Sequence, residues 1–551
     1  MNKILTIAAL ALVLSACSNE DNDIQTPVEQ PAKSEGIPFT ATISIGENAM
    51  TRALTEDATN NQIVPTWAAG EKVALIHNGV NDEMSVASVS GGVATITGTI
   101  TGSPTTGDAV TIIYPSTAAD GTTGNVKANL LAAQDGTLAT IAANYDVRKG
   151  TGTLKVSGTA SLNGNVSLTN QFAIWKLTLG NDAKNLCIMA DNVPIAGATL
   201  ASAGKEFTVA IPAVSSKKNV TITIVANDES NNCYYFSEYG VKIAAGKYYQ
   251  SSPTMKTLGT SDSESVYKIT GDASAIIPDD KTVVLSGVNI TNGSITCFDD
   301  ATIILMGTNS IKATTGHAAI LVGFTGITLT ITGTGELTAT GGNFGAGIGT
   351  NGADGTTLSG GNIVINGGRV NATGGATAAG IGTGRANSSS SGNASQTCGT
   401  ITINGGTVTA IGGADAAGIG TGSSLENASQ TCGTITINGG TVTATGGAAA
   451  AGIGTGYVDR GSNKCGDITI GTGVTSVIAT KGSNCFNNIG PGYTSTPLTQ
   501  HCGKITFGTK QVFDGGTDLL FRIEAGTYGG LNLAISTTTN TNDTWTLTPA
   551  P

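Results

Sequence analysis

The chain has 551 residues, enough for several domains, and its net charge of −11 gives nucleic-acid binding no electrostatic support. Only 12% of residues are charged and 78 are glycine, with Thr, Ser and Asn carrying most of the polarity, which fits an exported β-protein. The histidines, His77, His317 and His501, are scattered and give no basis for a His-based metal centre or nucleophile relay.

Met1-Asn2-Lys3 is a short basic start, and Ile4 to Leu14 is an apolar run too short to span a membrane. Leu14-Ser15-Ala16-Cys17 follows. Residues 1–17 thus resemble a bacterial lipoprotein signal, which implies lipidation of Cys17 and anchoring to the outer membrane. The alternative is an ordinary secretory signal with a Cys there by chance. Residues 18–36 read as an acidic, polar linker containing Glu20, Asp21, Asp23, Pro27 and Pro31. Its acidic cluster resembles the surface-export signal of Bacteroidetes lipoproteins, or is simply a solvated spacer. Nothing else in the sequence is a transmembrane candidate.

From Ile37 the pattern changes. Ile37, Phe39, Ala41, Ile43 and Ile45 alternate with Pro38, Thr40, Thr42 and Ser44, the signature of a half-buried strand. Further strands are predicted at Lys72–His77, Val93–Ile100, Ala109–Pro115, Thr153–Val156, Phe172–Leu179, Phe207–Ile211, Val220–Val225 and Cys233–Phe236. Turn signals at short intervals make 37–256 a β-sandwich region, with room for two subdomains.

After a linker at 257–265, residues 266–530 are repetitive. Cys398 opens CGTITINGGTVTAIGGADAAGIGTG, and Cys432 opens a near-verbatim copy. A looser copy ends at Gly384, and degraded copies start at Cys465 and Cys502. A period in this range indicates stacked coils. Each repeat reads as one turn of a right-handed parallel β-helix, with Thr400–Ile403, Thr407–Ala410 and Ala417–Gly420 as short strands separated by glycine corners. Ile401, Ile403 and Val408 should stack inward. Asn366, Asn404 and Asn438 recur at one corner and should form a hydrogen-bonded ladder. Cys398, Cys432, Cys465 and Cys502 fall in register and read as a column of buried thiols. Coils about 4.8 Å apart suit a disulfide poorly, since its Cβ atoms sit roughly 3.8 Å apart. Residues 531–551 read as a C-terminal cap or tail. The fold class is therefore all-β, a sandwich region followed by a parallel β-helix.

The variable segments after the third strand, 351–361, 385–397, 423–431, 457–464 and 493–500, should collect along one edge, where such folds place their binding residues. Asp354, Arg385, Glu426, Tyr457, Asp459, Arg460 and Tyr493 are the candidate ligand-binding residues there. Asp354, Glu426 and Asp459 leave a weak Ca²⁺ site open beside the plainer reading of solvated charges; no other cofactor or metal is expected. A polysaccharide lyase or glycosidase would need clustered carboxylates. Between Leu337 and Gln500 the acids are Asp354, Asp415, Glu426, Asp459 and Asp467, none close to another in sequence, and no catalytic residue is assigned.

The sandwich region resembles the fimbrillin-like proteins of Bacteroidetes, subunits of strand-exchange pili. The matching pieces are Met50-Thr51-Arg52-Ala53, Trp67-Ala68-Ala69-Gly70-Glu71-Lys72-Val73-Ala74, Phe172-Ala173-Ile174-Trp175-Lys176-Leu177 and Ala245-Gly246-Lys247-Tyr248-Tyr249. The resemblance implies proteolytic maturation between Arg52 and Ala53. Cleavage would remove strand 37–45 and open a groove that a neighbouring subunit fills by β-augmentation; otherwise Arg52 is an ordinary surface residue. The repeat half resembles the carbohydrate-binding β-helix domains of bacterial surface proteins. Together these imply a surface lipoprotein of the outer membrane, a pilus tip or adhesin, with fimbrillin subunits and a glycan or other surface polymer as partners. A β-helix polysaccharide lyase or glycosidase is the alternative, and a structural spacer the third reading.

Overall fold

The structure is a computed structural model that describes residues 36–45, 55–57, 62–64, 67–127, 134–214, 220–354, 357–387, 395–426, 428–495, 500–517, 523–537 and 543–550. Cys17, Arg52 and Ala53 lie outside the described residues.

The strand Ile37–Ile45 forms as its alternation predicts, and it is paired on both edges. On one side it runs antiparallel to Val93–Ile100, from Ile37 opposite Ile100 to Ser44 opposite Val93. On the other it runs parallel to Val166–Asn170, with Ile43 opposite Val166, and touches Thr159–Leu162 at Phe39 opposite Ala160. Phe39 and Ile43 are 1% and 0% exposed, in a core with Trp67, Leu75, Met84, Ile96, Ile112 and Leu168. The remaining strands of this sheet are Lys72–His77, Val80–Ser90, Ala109–Tyr114 and Arg148–Ser157. Val80–Ser90 has no counterpart among the predicted strands: the polar run Asn81, Asp82 and Glu83 interrupts its apolar alternation, with Asp82 buried beside His77 and Thr101, and the strand is held by pairing with both neighbours.

A second sheet is built on the long hairpin Phe172–Ala190 and Val193–Pro212, followed by Val220–Asn227 and Cys233–Val241. Tyr248–Ser251 returns parallel to the first of these, placing Ile174 opposite Tyr248 and Trp175 opposite Tyr249. The Trp175 indole donates to Ser251 Oγ at 2.8 Å. Two motifs far apart in sequence are thus hydrogen-bonded neighbours. The stretch 257–265 is no free linker: Lys256–Thr257 pairs with Cys233–Val241, and Leu258 is buried against the coils.

From Val266 the chain winds into a parallel β-helix. Its strands stack in register, Ile363, Ile401, Ile435, Ile468 and Ile505 forming one inward column, all at most 1% exposed. A second column runs Val370, Val408, Val442, Val477. Stacking saturates the backbone of strands too short to be stable alone. The second glycine of each Ala-Gly-Ile-Gly run has φ near +130°, and a Cβ at Gly420 would collide with the Gly454 carbonyl of the next coil. Only glycine fits that column.

The asparagine ladder is present: Asn438 Nδ2 donates to Asn404 Oδ1, and Asn404 Nδ2 to Asn366 Oδ1, each at 2.9 Å. Cys432 stands opposite Cys465, and Cys465 opposite Cys502, all buried free thiols. The neighbouring Cys432 thiol and burial together hold Cys398 well above the ordinary thiol range.

The variable segments are more ordered than loops. Ser395–Thr397, Ser429–Cys432, Asn463–Cys465 and Gln500–Cys502 stack as a further parallel sheet. They point Gln396, Gln430 and Asn463 inward at 0% exposure, where these side chains bond one another and the Thr383 and Thr421 hydroxyls. Burial of these amides is tolerated because each is hydrogen-bonded. The C-terminal residues form a cap: Asp543–Pro549 pairs antiparallel with Ile468–Thr480 of the last full coil, and Leu531, Leu533, Trp545 and Leu547 close the core.

Candidate functional site: an aromatic cleft on the last coils

After each Ile-Gly strand comes one repeated position, occupied successively by Gly352, Arg385, Ser423, Tyr457 and Tyr493. The turn preceding the strand supplies a facing column that includes Phe344, Asp415 and Ala449. Backbone bonds lock the two columns together, Arg385 N–H to Phe344 O, Tyr457 N–H to Asp415 O and Tyr493 N–H to Ala449 O, at 2.8 to 2.9 Å. Side chains at these positions therefore stack one coil above another. Arg385 lies over the Phe344 ring, 3.7 Å from its centroid, a cation–π contact. Tyr457 and Tyr493 lie nearly parallel, centroids 6.1 Å apart and planes 8° apart.

The last coil departs from the repeat. Thr445 is opposite Thr480, yet Ile453 is opposite Ile489, so one extra residue lies in the turn between them. That turn presents Phe486, 66% exposed, 6.3 Å from Tyr493 at 45°. Tyr457, Tyr493 and Phe486 border an open cleft of about 870 Å³, whose other lining residues include Asp415, Lys481, Ser483, Asn484 and, from the cap, Asp543. Asn488 ties the cap in place, its amide donating to the Asp543 and Ala479 carbonyls. Burial raises the Asp415 carboxyl above its ordinary range. Burial also pushes the Cys485 thiol up to about 11. Such a thiol is a packing group, not a nucleophile.

Of the residues singled out by sequence, Tyr457, Tyr493 and Asp459 come together: the Tyr457 hydroxyl donates to Asp459 Oδ1 at 3.3 Å, and Ser495 Oγ donates to the same oxygen at 2.9 Å. Arg460 Nε is 3.6 Å from Asp459 Oδ2, and its N–H bonds the Glu426 carbonyl. Glu426 is exposed, in a left-handed turn at φ +59°. Arg385 belongs to the Phe344 pair on earlier coils. Asp354 lies in a two-residue strand opposite Asn387. Among the described residues no three His, Cys, Asp or Glu side chains come together as a metal site. Phe486, Asn484, Cys485 and Asp543 were not legible as site residues. The one-residue insertion was the only signal for the turn that carries Phe486, and nothing local marks Asp543.

Fold and cleft define an all-β protein in which a sandwich region carries a parallel β-helix with an exposed aromatic site near its far end. Residues 329–352, 363–385, 401–423 and 435–457 match the family model described as beta helix repeat. No curated protein matches the chain in sequence. Among solved structures the chain is similar to a fimbrial protein from Bacteroides ovatus, at 14% identity over 40% of this chain and 48% of that one, TM-score 0.21. It therefore spans about half the length of that protein. It is also similar to candidate cell adhesion proteins from Bacteroides fragilis (8% identity, 40% of this chain and 96% of that one, TM-score 0.24) and Bacteroides uniformis (11%, 41% and 98%, TM-score 0.22).

Proposed function

We propose that this chain is a cell-surface adhesin of the fimbrillin-like class, anchored to the outer membrane through lipidated Cys17, and that its β-helix binds a glycan or another surface polymer at the tip of a pilus. It acts by binding and not by catalysis. The observation that carries this reading is the place of Ile37–Ile45, a central strand paired on both edges whose Phe39 and Ile43 fill the core. Cleavage between Arg52 and Ala53 would free that strand. Its loss would leave Val93–Ile100 and Val166–Asn170 with unpaired edges flanking an apolar groove, a ready acceptor for a partner's strand. The aromatic cleft supports the binding half of the reading. It lies on the coils that follow the one whose Asn366 meets the Asn192 carbonyl of the sandwich hairpin.

Limiting trypsin on residues 18–551, followed by N-terminal sequencing, tests the maturation step. A dominant new start at Ala53, with gain of binding to fimbrillin strand peptides, is expected. An intact Arg52 bond, or cleavage with no gain in strand binding, would leave a monomeric surface protein and remove the pilus reading.

A further inference from the structure

We infer that the cleft on the last coils recognises an amino sugar through its protonated amine; this rests on the adhesin reading above and names the ligand class of its β-helix. Three features of the cleft converge on that class. The first is the aromatic border. Phe486 is a large apolar side chain projected into solvent by an inserted residue, beside the Tyr457 and Tyr493 rings. Exposed ring faces beside polar groups suit the C–H face of a pyranose.

The second is charge. Asp415 and Asp543 both line the cleft, and among the described residues neither carboxylate has a hydrogen-bond or ion-pair partner. The cationic side chain present, Lys481, is 8% exposed and already has an interaction partner. An anionic sugar would meet two carboxylates, and a neutral sugar would desolvate them without compensation. The ammonium groups of an amino-sugar oligomer compensate each carboxylate in turn and gain from the neighbouring ring faces. The raised Asp415 carboxyl fits this account, since burial without a counter-charge disfavours its ionised form.

The third is the supply of neutral hydrogen-bonding groups. Ser483 and Asn484 are exposed on the turn that carries Phe486, within reach of ring hydroxyls around a docked sugar.

The test is titration calorimetry of the full mature chain with a glucosamine oligosaccharide and with its fully N-acetylated counterpart. The amine form should bind, and the acetylated form should bind at least about tenfold more weakly. Phe486→Ala and Asp415→Asn should each weaken amine binding by about tenfold while the chain still unfolds cooperatively and no less stably than the parent. Equal binding of the two oligosaccharides, preference for a uronate oligomer, no binding of either, hydrolysis of the bound oligomer, or full binding by both variants would overturn the inference. Failure of the adhesin reading is separately visible: amine binding without trypsin maturation at Arg52 keeps the site and removes the pilus.

Discussion

Asn366 donates its side-chain amide to the backbone carbonyl of Asn192 at 3.2 Å, across 174 residues of sequence. Thr332 Oγ1 donates to the same carbonyl at 2.8 Å. Asn192 sits at the tip of the long hairpin, where Asp191 and Asn192 both have positive φ. The outward column it meets runs Val284, Ile304, Thr332, Asn366, Asn404, Asn438. Its apolar members are buried with Met306 against Cys187, Met189, Val225 and Cys233 of the second sheet. Its asparagines continue past the hairpin tip into solvent. One column thus carries the contact with the sandwich and the ladder beyond it.

Ile304→Asp should break that contact. A charge placed at a site 1% exposed, with no partner, should cost about 3 kcal/mol or more. Differential scanning calorimetry is expected to resolve separate sandwich and β-helix transitions in the variant.

Asn404→Ala removes both ladder bonds of Asn404 while leaving the coil stack intact. The ladder is exposed, so the loss should be near the low end of hydrogen-bond values, about 1 kcal/mol by chemical denaturation. Asn404→Asp should cost more, because it sets a charged carboxylate oxygen against the Asn366 Oδ1 acceptor.

The described cysteines are all buried and free. Residues 18–551 should therefore show no rapidly reacting thiol with an aromatic disulfide reagent in the native state, and full labelling in denaturant. Rapid native labelling at Cys432 would mean that the stack opens.

Asp415 offers a pH test with a defined sign. Its folded-state pKa lies above its unfolded value because of burial. Below about pH 3.9 both states are protonated and it costs nothing. As pH rises the unfolded chain ionises first, so a destabilisation develops and is complete above the folded pKa. Asp415→Asn should match the parent in melting temperature at low pH and exceed it at neutral pH. A melting difference independent of pH would contradict this.

The buried ion pair of Arg148 with Asp146, bonded at 3.0 and 2.9 Å, sits at the start of the strand Arg148–Ser157. Arg148→Ala would leave a nearly inaccessible carboxylate without its cation and should cost about 3–5 kcal/mol by urea unfolding.

Much of the architecture was legible in order along the chain because it obeys short-range rules. Alternation identified Ile37–Ile45, and the period of the repeats located the inward isoleucines, the Asn366–Asn404–Asn438 ladder and the thiol column. In a stacked fold, sequence register becomes spatial neighbourhood directly. The stacking of Tyr457 on Tyr493 at one repeated position could be read for the same reason. The buried Gln396 and Gln430 could not, since a polar residue reads as exposed until its partners are placed around it. The docking of Asn192, the tie at Leu258 and the entry of Asp543 into the cleft depend on surfaces meeting across long stretches of chain. No periodicity encodes which outward column a hairpin will cover or which turn a cap will reach. Those contacts arise from packing whole elements together, so the coils and their side-chain columns follow from local pattern, while the interface and the complete cleft come from three-dimensional juxtaposition.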